Sequence, residues 1–362
     1  MGEKSVERVG IVGAGSWGTA LANLLAEKGY TVDMWVYEPE LCRDIAEKRE
    51  NTFYLPGVPI HERVVPHTAF APVVVNHSLV VMVVPSHVYR EVAEKVVPHL
   101  DQDAVVVSAT KGIENDTLLT MSGVWREIAS GREDVHFCCL SGPSFAREVV
   151  RRLPTVVTLA CKNITMAQMA QQVFATDYFR VYVSTDVIGL EIAGAVKNVI
   201  ALAAGACDGM GFGHNTRAAL ITRGLAEMTR LGIAMGAHPM TFLGLPGVGD
   251  LLLTCTGDLS RNRTVGYKLG QGQKLDEILA DMKMVAEGVK TAKSVYFLAR
   301  KLGVELPICE LVYKVLYENA DPGEAVQSLM GRELKHEWDR EMDIFQALEK
   351  VVQQIQVSCF CY

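Results

Sequence analysis

The segment RVGIVGAGSWGTALANLLAEKG, residues 8–29, constrains the fold more than any other part of the chain. A short apolar run, RVGIV, leads into Gly13, Gly15 and Gly18 in G-x-G-x-x-G spacing, and a helix-forming stretch follows at once. The three glycines do separable jobs. Gly13 permits a tight turn, Gly15 lets backbone approach a pyrophosphate, and Gly18 allows a helix to pack closely on its strand. Such a helix begins with unpaired N–H groups, which suit phosphate. About twenty residues on, Glu38 ends a second strand-like run, where a carboxylate can accept a hydrogen bond from a ribose 2′-OH. Strand, glycines, helix and acid together predict a dinucleotide site.

The same alternation continues. TVDMWVY, LVVMVV, AVVVSAT, VHFCCL, TVVTLA and RVYVS read as further strands, and helix-length segments such as VYREVAEKVVPHL lie between several of them. Apolar strands separated by helices indicate a mostly parallel sheet covered on both faces. After about Asp186 the strands stop. Residues 187–206, 216–235, 274–281, 288–302 and 310–318 read as helices instead. The expected architecture is an α/β Rossmann-like domain over residues 1–186 and an all-α substrate and catalytic domain over 187–340. A C-terminal tail, 341–362, has no assigned role.

Composition removes several classes. With 362 residues and 49% hydrophobic content the chain can bury a large core. A net charge of −7 argues against a nucleic-acid partner. No apolar run of about 18 residues is free of charge, so no membrane span is predicted. The start, MGEKSVERVG, lacks a signal-peptide core. The nine cysteines include no CxxC pair and sit mostly in apolar runs, such as Cys138, Cys139, Cys161 and Cys207. That usage fits reduced thiols and a cytoplasmic setting. Cys359 and Cys361 are too few to argue a metal site, and no metal is expected.

One charge stands out in the helical half. In EIAGAVKNVIALAAG, residues 191–205, Lys197 has Ala193, Gly194, Ile200 and Ala201 as its neighbours at three and four positions' distance. None can pair with an ammonium group. Burying an unpaired cation is costly unless a distant group compensates or its pKa falls.

Other stretches suit a phosphorylated substrate. TKGIE sets Lys111 just past a strand end, where open α/β sheets bind ligands. SGPSFA is another strand-end turn, with a hydroxyl at Ser144. PGVGDLLLTCT puts Asp250 after two glycines and near Thr254, while SRNR gathers Ser260, Arg261, Asn262 and Arg263. A cation-plus-amide set of that kind suits phosphate.

The motifs GAGSWGTALA, NTFYLPGV, ATKGIE, SGPSFA, AVKNVIALAAG, NTRAALITRGLAEM, GVGDLLLTCT, SRNRTVG and VAEGVKTA follow one another in order. In these the chain resembles the soluble NAD(P)-dependent glycerol-3-phosphate dehydrogenases, from about Val9 to about Leu329, and without long insertions it is most similar to their bacterial branch. The segment after about Leu334 does not resemble the family's usual ending. The resemblance implies reversible hydride transfer between NAD(P)H and dihydroxyacetone phosphate. The product, sn-glycerol 3-phosphate, supplies glycerophospholipid synthesis. It makes Lys197 the proton donor and acceptor, with Asp250 orienting it. Lys111 and Asn198 hold substrate oxygens; Arg261, Asn262 and Ser260 take the phosphate; Gly142, Ser144 and Thr254 line the pocket. On the cofactor side it implies Ser16, Trp17, Tyr37, Ala146, Val285 and Glu287, with Lys111 and Arg261 touching both ligands. It also implies a homodimer. NAD is the expected cofactor with NADH favoured, because VYEPE offers no cation before Arg43 and Glu38 would repel a 2′-phosphate. Tyr37 could stack on adenine without choosing, and Arg43 could swing in, so NADP stays open.

Two rivals are weaker. Enzymes of the 3-hydroxyacid and 6-phosphogluconate type resemble one another in a lysine followed four residues later by asparagine, whereas Lys197 and Asn198 are adjacent here. A dinucleotide-binding module without catalysis would not need every catalytic residue type, and all are present.

Overall fold

The computed structural model describes residues 6–282, 285–334 and 337. Its first half is built on an eight-stranded sheet, in the order β10-β9-β8-β7-β6-β1-β2-β5. The strands are β1 (Arg8–Val12), β2 (Thr31–Trp35), β5 (Val64–His67), β6 (Leu79–Met82), β7 (Val105–Ser108), β8 (His136–Ser141), β9 (Thr155–Cys161) and β10 (Phe179–Ser184). Only the β8–β9 pair is antiparallel. A separate hairpin pairs β3 (Glu50–Asn51) with β4 (Leu55–Pro59).

The apolar runs are continuous because both sheet faces are buried. On β6, Leu79 and Val81 join one core cluster while Val80 and Met82 join another. On β7 the same split separates Val105 and Val107 from Val106. All seven strands expected from sequence are present. β5 is additional; it sits at the sheet edge and carries Pro66, which a central strand would not tolerate.

Helices of this half are α1 (Ser16–Glu27), α2 (Pro39–Lys48), α3 (Ala71–Val74), α4 (Tyr89–Val96), α5 (Met121–Ile128), α6 (Ala146–Val149) and α7 (Ile164–Phe174). The second half is helical. It comprises α8 (Val187–Gly209), α9 (His214–Ala234), α10 (Asp250–Thr256), α11 (Arg261–Gly270), α12 (Leu275–Ala280), α13 (Glu287–Leu302), α14 (Pro307–Tyr317) and α15 (Pro322–Met330).

Helix α8 starts where the last strand ends, capped by Asp186, whose Oδ1 accepts from the Gly189 N–H. By length and composition α8 could cross a membrane, yet 89% of its apolar window is buried inside the protein. It is a core helix. Helix α11 lies against it at very short range. A Cβ on Gly205 would stand 2.0 Å from the Arg263 carbonyl oxygen, and one on Gly266 2.0 Å from that of Leu202. Backbone meets backbone there, and the start of α11 is thereby fixed beside Asn198.

All seven described cysteines are free thiols, six of them buried. Cys359 and Cys361 lie outside the described residues, as does the whole of the C-terminal tail, 341–362.

Candidate active site at the sheet–helix junction

The first βα turn fits a dinucleotide by its own geometry. Gly13 has φ +122°, and a Cβ there would stand 2.5 Å from the Val83 carbonyl oxygen. At Gly18 a Cβ would fall 2.0 Å from the Gly13 oxygen. Both glycines are therefore required by packing. At Gly15 a Cβ would meet nothing within 4 Å, so the space beside it is open. Gly15 is also the N-cap of α1 and supplies no side chain to the first-turn N–H groups. An uncapped helix start facing open space is a phosphate cradle. The hairpin braces this turn from behind: Asn51 Nδ2 donates to the Ala14 carbonyl at 2.7 Å and to Thr19 Oγ1 at 2.8 Å.

Around the cradle the expected cofactor residues divide. Glu38 stands at the N-cap of α2, and the Tyr54 hydroxyl donates to its Oε1 at 2.5 Å. Burial and that carboxylate push the Tyr54 phenol up to about 12, so it remains a donor. Tyr37 is exposed, edge-on to Trp35. Ser16 begins α1, whereas Trp17 turns toward the core and packs near Phe179. Ala146 opens α6 after the SGPSF turn, in which Gly142 has φ +145° and Ser144 Oγ donates to its carbonyl at 2.9 Å. Arg43 lies on the exposed face of α2, 3.7 Å from Glu40.

Lys197 has its partner, 53 positions away. Its Nζ donates to Asp250 Oδ1 at 2.6 Å and to Thr254 Oγ1 at 2.9 Å. The other oxygen of Asp250 accepts from Lys111 Nζ at 2.8 Å. One buried carboxylate thus joins a lysine of α8 to a lysine of the β7 strand end. Asp250 reaches this place because LPGVG forms a π-turn ahead of α10, whose first residue it is. Gly194 lies beside the Lys111 stem: a Cβ there would be in ordinary contact with Lys111 Cγ at 3.5 Å and tight only against Ser141 Oγ at 3.1 Å.

Burial lowers the Lys197 ammonium to about 8; Asp250 opposes the fall and Lys111 adds to it. For Asp250 burial acts upward, but the two lysines outweigh it and hold the carboxyl below its usual range. Lys197 has three hydrogens and only two acceptors among the described residues. Its third is available to a ligand.

The phosphate-side residues meet at the start of α11. Asn262 Nδ2 donates to Asn198 Oδ1 at 2.9 Å, and the Gly288 N–H donates to Asn262 Oδ1 at 2.9 Å. Ser260 caps the helix by accepting from the Arg263 N–H. Arg263 does not join the site: its guanidinium is tied to Asp208 and Asp258. Arg261 has no carboxylate partner among the described residues; its Nη1 donates to the Val285 carbonyl at 2.9 Å. Glu287, two residues on, accepts from the Ser86 N–H and hydroxyl, at 3.2 Å and 2.6 Å, and burial raises its pKa.

Sequence reasoning passed over Ser86 and Asn51. Ser86 follows the β6 end, the same strand-end position that singled out Lys111. Asn51 opens the NTFYLPGV motif, but its bond to the glycine turn is visible only once the hairpin folds.

Comparison with known proteins gives the family. Models of the NAD-dependent glycerol-3-phosphate dehydrogenase N-terminus and C-terminus match residues 8–167 and 186–327. A glycerol-3-phosphate dehydrogenase [NAD(P)+] of Syntrophobacter fumaroxidans is 65% identical over 91% of this chain and 97% of its own. That of Citrifermentans bemidjiense is 56% identical over 91% and 99%. The crystal structure of glycerol-3-phosphate dehydrogenase from Coxiella burnetii superposes with a TM-score of 0.86 at 38% identity, covering 90% of this chain and 99% of the other.

Proposed function

The chain belongs to the NAD-dependent glycerol-3-phosphate dehydrogenase family, and on that premise we propose that Lys197 is its proton donor and acceptor. The enzyme catalyses NAD(P)H-dependent reduction of dihydroxyacetone phosphate to glycerol 3-phosphate. When bound, the nicotinamide supplies the hydride that adds to the ketone carbon. The charge that develops on the carbonyl oxygen then needs a proton.

A buried ammonium with a pKa lowered to about 8 gives up a proton near neutral pH and stabilises the oxyanion while it forms. Asp250 fixes the position of Nζ. Lys111, on the other carboxylate oxygen, adds a second cation beside the reacting carbonyl. Arg261, Asn262, Asn198 and the start of α11 take the phosphate, with Ser260, Gly142, Ser144 and Thr254 around it. The cradle formed by Gly13, Gly15, Ser16 and Gly18 holds the pyrophosphate, and Glu38 the adenosine ribose. Ala146, Val285, Glu287, Tyr37 and Trp17 complete the cofactor side. Residues 1–186 and 187–340 act as the cofactor and substrate domains, in a cytoplasmic setting read from the cysteine usage and in a homodimer that rests on the resemblance.

The observation that carries the proposal is the Lys197–Asp250–Lys111 bridge with one Lys197 hydrogen uncommitted. Lys197→Met tests it. The variant should bind NADH nearly as well as the wild type, while kcat for dihydroxyacetone phosphate falls by ~10²–10⁴-fold. A variant that keeps more than about half of kcat removes Lys197 from proton transfer.

A further inference from the structure

The chain leaving β6 is held on two sides. The Val83 carbonyl closes on the glycine turn, where a Cβ on Gly13 would stand 2.5 Å from its oxygen. Thr110 Oγ1, of the TKGIE stretch, donates to the Val84 carbonyl at 2.8 Å. Pro85 and Ser86 follow directly, so Ser86 is set between the phosphate cradle and the strand end that carries Lys111. It is buried there.

Both donors of Ser86 are spent on one group of the helical half. Its N–H meets Glu287 Oε1 at 3.2 Å and its hydroxyl meets Oε2 at 2.6 Å. No other donor and no cation contacts this carboxylate among the described residues. Gly112 makes the pairing possible. A Cβ there would stand 2.5 Å from Ser86 Cβ and Oγ and 3.5 Å from Glu287 Oε2. A carboxylate oxygen has two lone pairs, and each oxygen of Glu287 has received one hydrogen bond. The remaining acceptor sites belong to α13, but a residue of the sheet half sets their direction.

We propose that Ser86 is a positioning residue for the cofactor, aiming the Glu287 carboxylate at hydrogen-bond donors of the nicotinamide riboside half. The proposal rests on the reading of Glu287 as a cofactor-side residue. A carboxylate accepts and cannot donate, so it suits ribose hydroxyls or a carboxamide and repels pyrophosphate. With Glu38 taking the adenosine ribose, the nicotinamide half is the part directed toward Lys111 and Lys197. Ser86 need not touch the dinucleotide. Its effect is preorganisation: a glutamate already held in place loses no rotamer freedom when the ligand arrives.

Equilibrium titration of the full chain with NADH, ADP-ribose and ADP tests this in wild type, Ser86→Ala, Glu287→Ala and the double variant. Ser86→Ala should raise the Kd for NADH ~10-fold, or ~1.4 kcal/mol, and leave that for ADP within ~2-fold. ADP lacks the nicotinamide riboside, so it reports whether the cradle is intact. In turnover, KM for NADH should rise more than kcat falls. Glu287→Ala should weaken NADH at least as much, and the double variant no further, because Ser86 acts through that carboxylate. ADP-ribose weakened alongside NADH assigns the donors to the ribose hydroxyls; ADP-ribose spared assigns them to the carboxamide. Three results would overturn the positioning role alone: losses that add in the double variant, an equal loss for ADP, or wild-type NADH affinity in Ser86→Ala while Glu287→Ala is impaired. Wild-type affinity in Glu287→Ala would instead remove Glu287 from the cofactor side, and the proposal with it.

Discussion

Lys197 stands between two opposing demands, and its neighbours set the balance. Burial favours the neutral amine; the Asp250 carboxylate favours the ammonium; Lys111 opposes it. With a pKa near 8, the protonated fraction is about half at that pH and falls above it. Ketone reduction needs the protonated form, so kcat should decline as pH rises through about 8, while glycerol 3-phosphate oxidation should rise there. Asp250→Asn removes the group that holds the proton on and leaves burial and Lys111 in place. The alkaline limb should therefore move to lower pH, besides any loss of rate, and a limb that stays near 8 would separate Asp250 from Lys197 titration. Cofactor choice turns on Glu38 in the same way. One of its oxygens takes the Tyr54 hydroxyl, and Arg43 is directed at Glu40. NADH should be preferred over NADPH by roughly tenfold or more in kcat/KM, about 1.4 kcal/mol. Glu38→Ala should narrow the gap by improving NADPH. Equal use of both by the wild type would place Glu38 away from the ribose.

Elements differ in how plainly their sequence announces them, and burial explains the difference. The seven central strands read as apolar runs because side chains on both faces are enclosed. The edge strand β5, VVPH, and the two-residue β3 are too short and too polar for that signal. Helices α8, α9, α12, α13 and α14 are legible in the sequence, whereas α10 and α11 are not. RNRTVGYKLG carries two glycines, each costing ~1 kcal/mol of helix propensity relative to alanine, so its own preference is poor. Packing holds it. The glycines that weaken it locally are those that let α11 touch α8, and only through that contact do Arg261 and Asn262 reach the active site. The site itself is partly legible for the same reason: Lys197 is conspicuous as a charge in an apolar helix, but its pairing with Asp250 spans 53 positions and came from the family resemblance. Gly266→Ala makes the trade measurable. In an isolated helix it would stabilise, but here the new methyl meets a backbone oxygen at 2.0 Å. Overpacking of that kind costs about 1–3 kcal/mol, so the urea midpoint should fall and KM for dihydroxyacetone phosphate should rise. A raised midpoint would show that the helices part easily.

Across the whole molecule, carboxylates of the helical half fasten it to the sheet half. Asp250 holds Lys111, Glu287 holds Ser86, and Glu191 of α8 accepts from the Ser122 N–H at 2.7 Å and the Ser122 hydroxyl at 2.5 Å. Glu191 serves as the missing cap of α5, whose N-cap residue Thr120 makes no capping bond of its own. It is buried with no cation in contact among the described residues, and burial raises its pKa from 4.5 to about 7 despite the bonds from Ser122. Between about 4.5 and 7 the folded protein keeps a proton on Glu191 that the unfolded chain has released. Stability from this group therefore falls as pH rises through that window and levels off above it. The full drop is on the order of 3 kcal/mol, since a tenfold difference in acidity between the folded and unfolded chain is worth about 1.4 kcal/mol. Glu191→Gln keeps an acceptor for Ser122 and cannot ionise. Its effect on unfolding free energy should therefore be more favourable at pH 8 than at pH 5 by a large part of that amount, read from urea denaturation at the two values. Should the variant differ from wild type equally at both, Glu191 would be ionised in the folded state at pH 5 already, and the junction between the halves would be an ionic one throughout the neutral range.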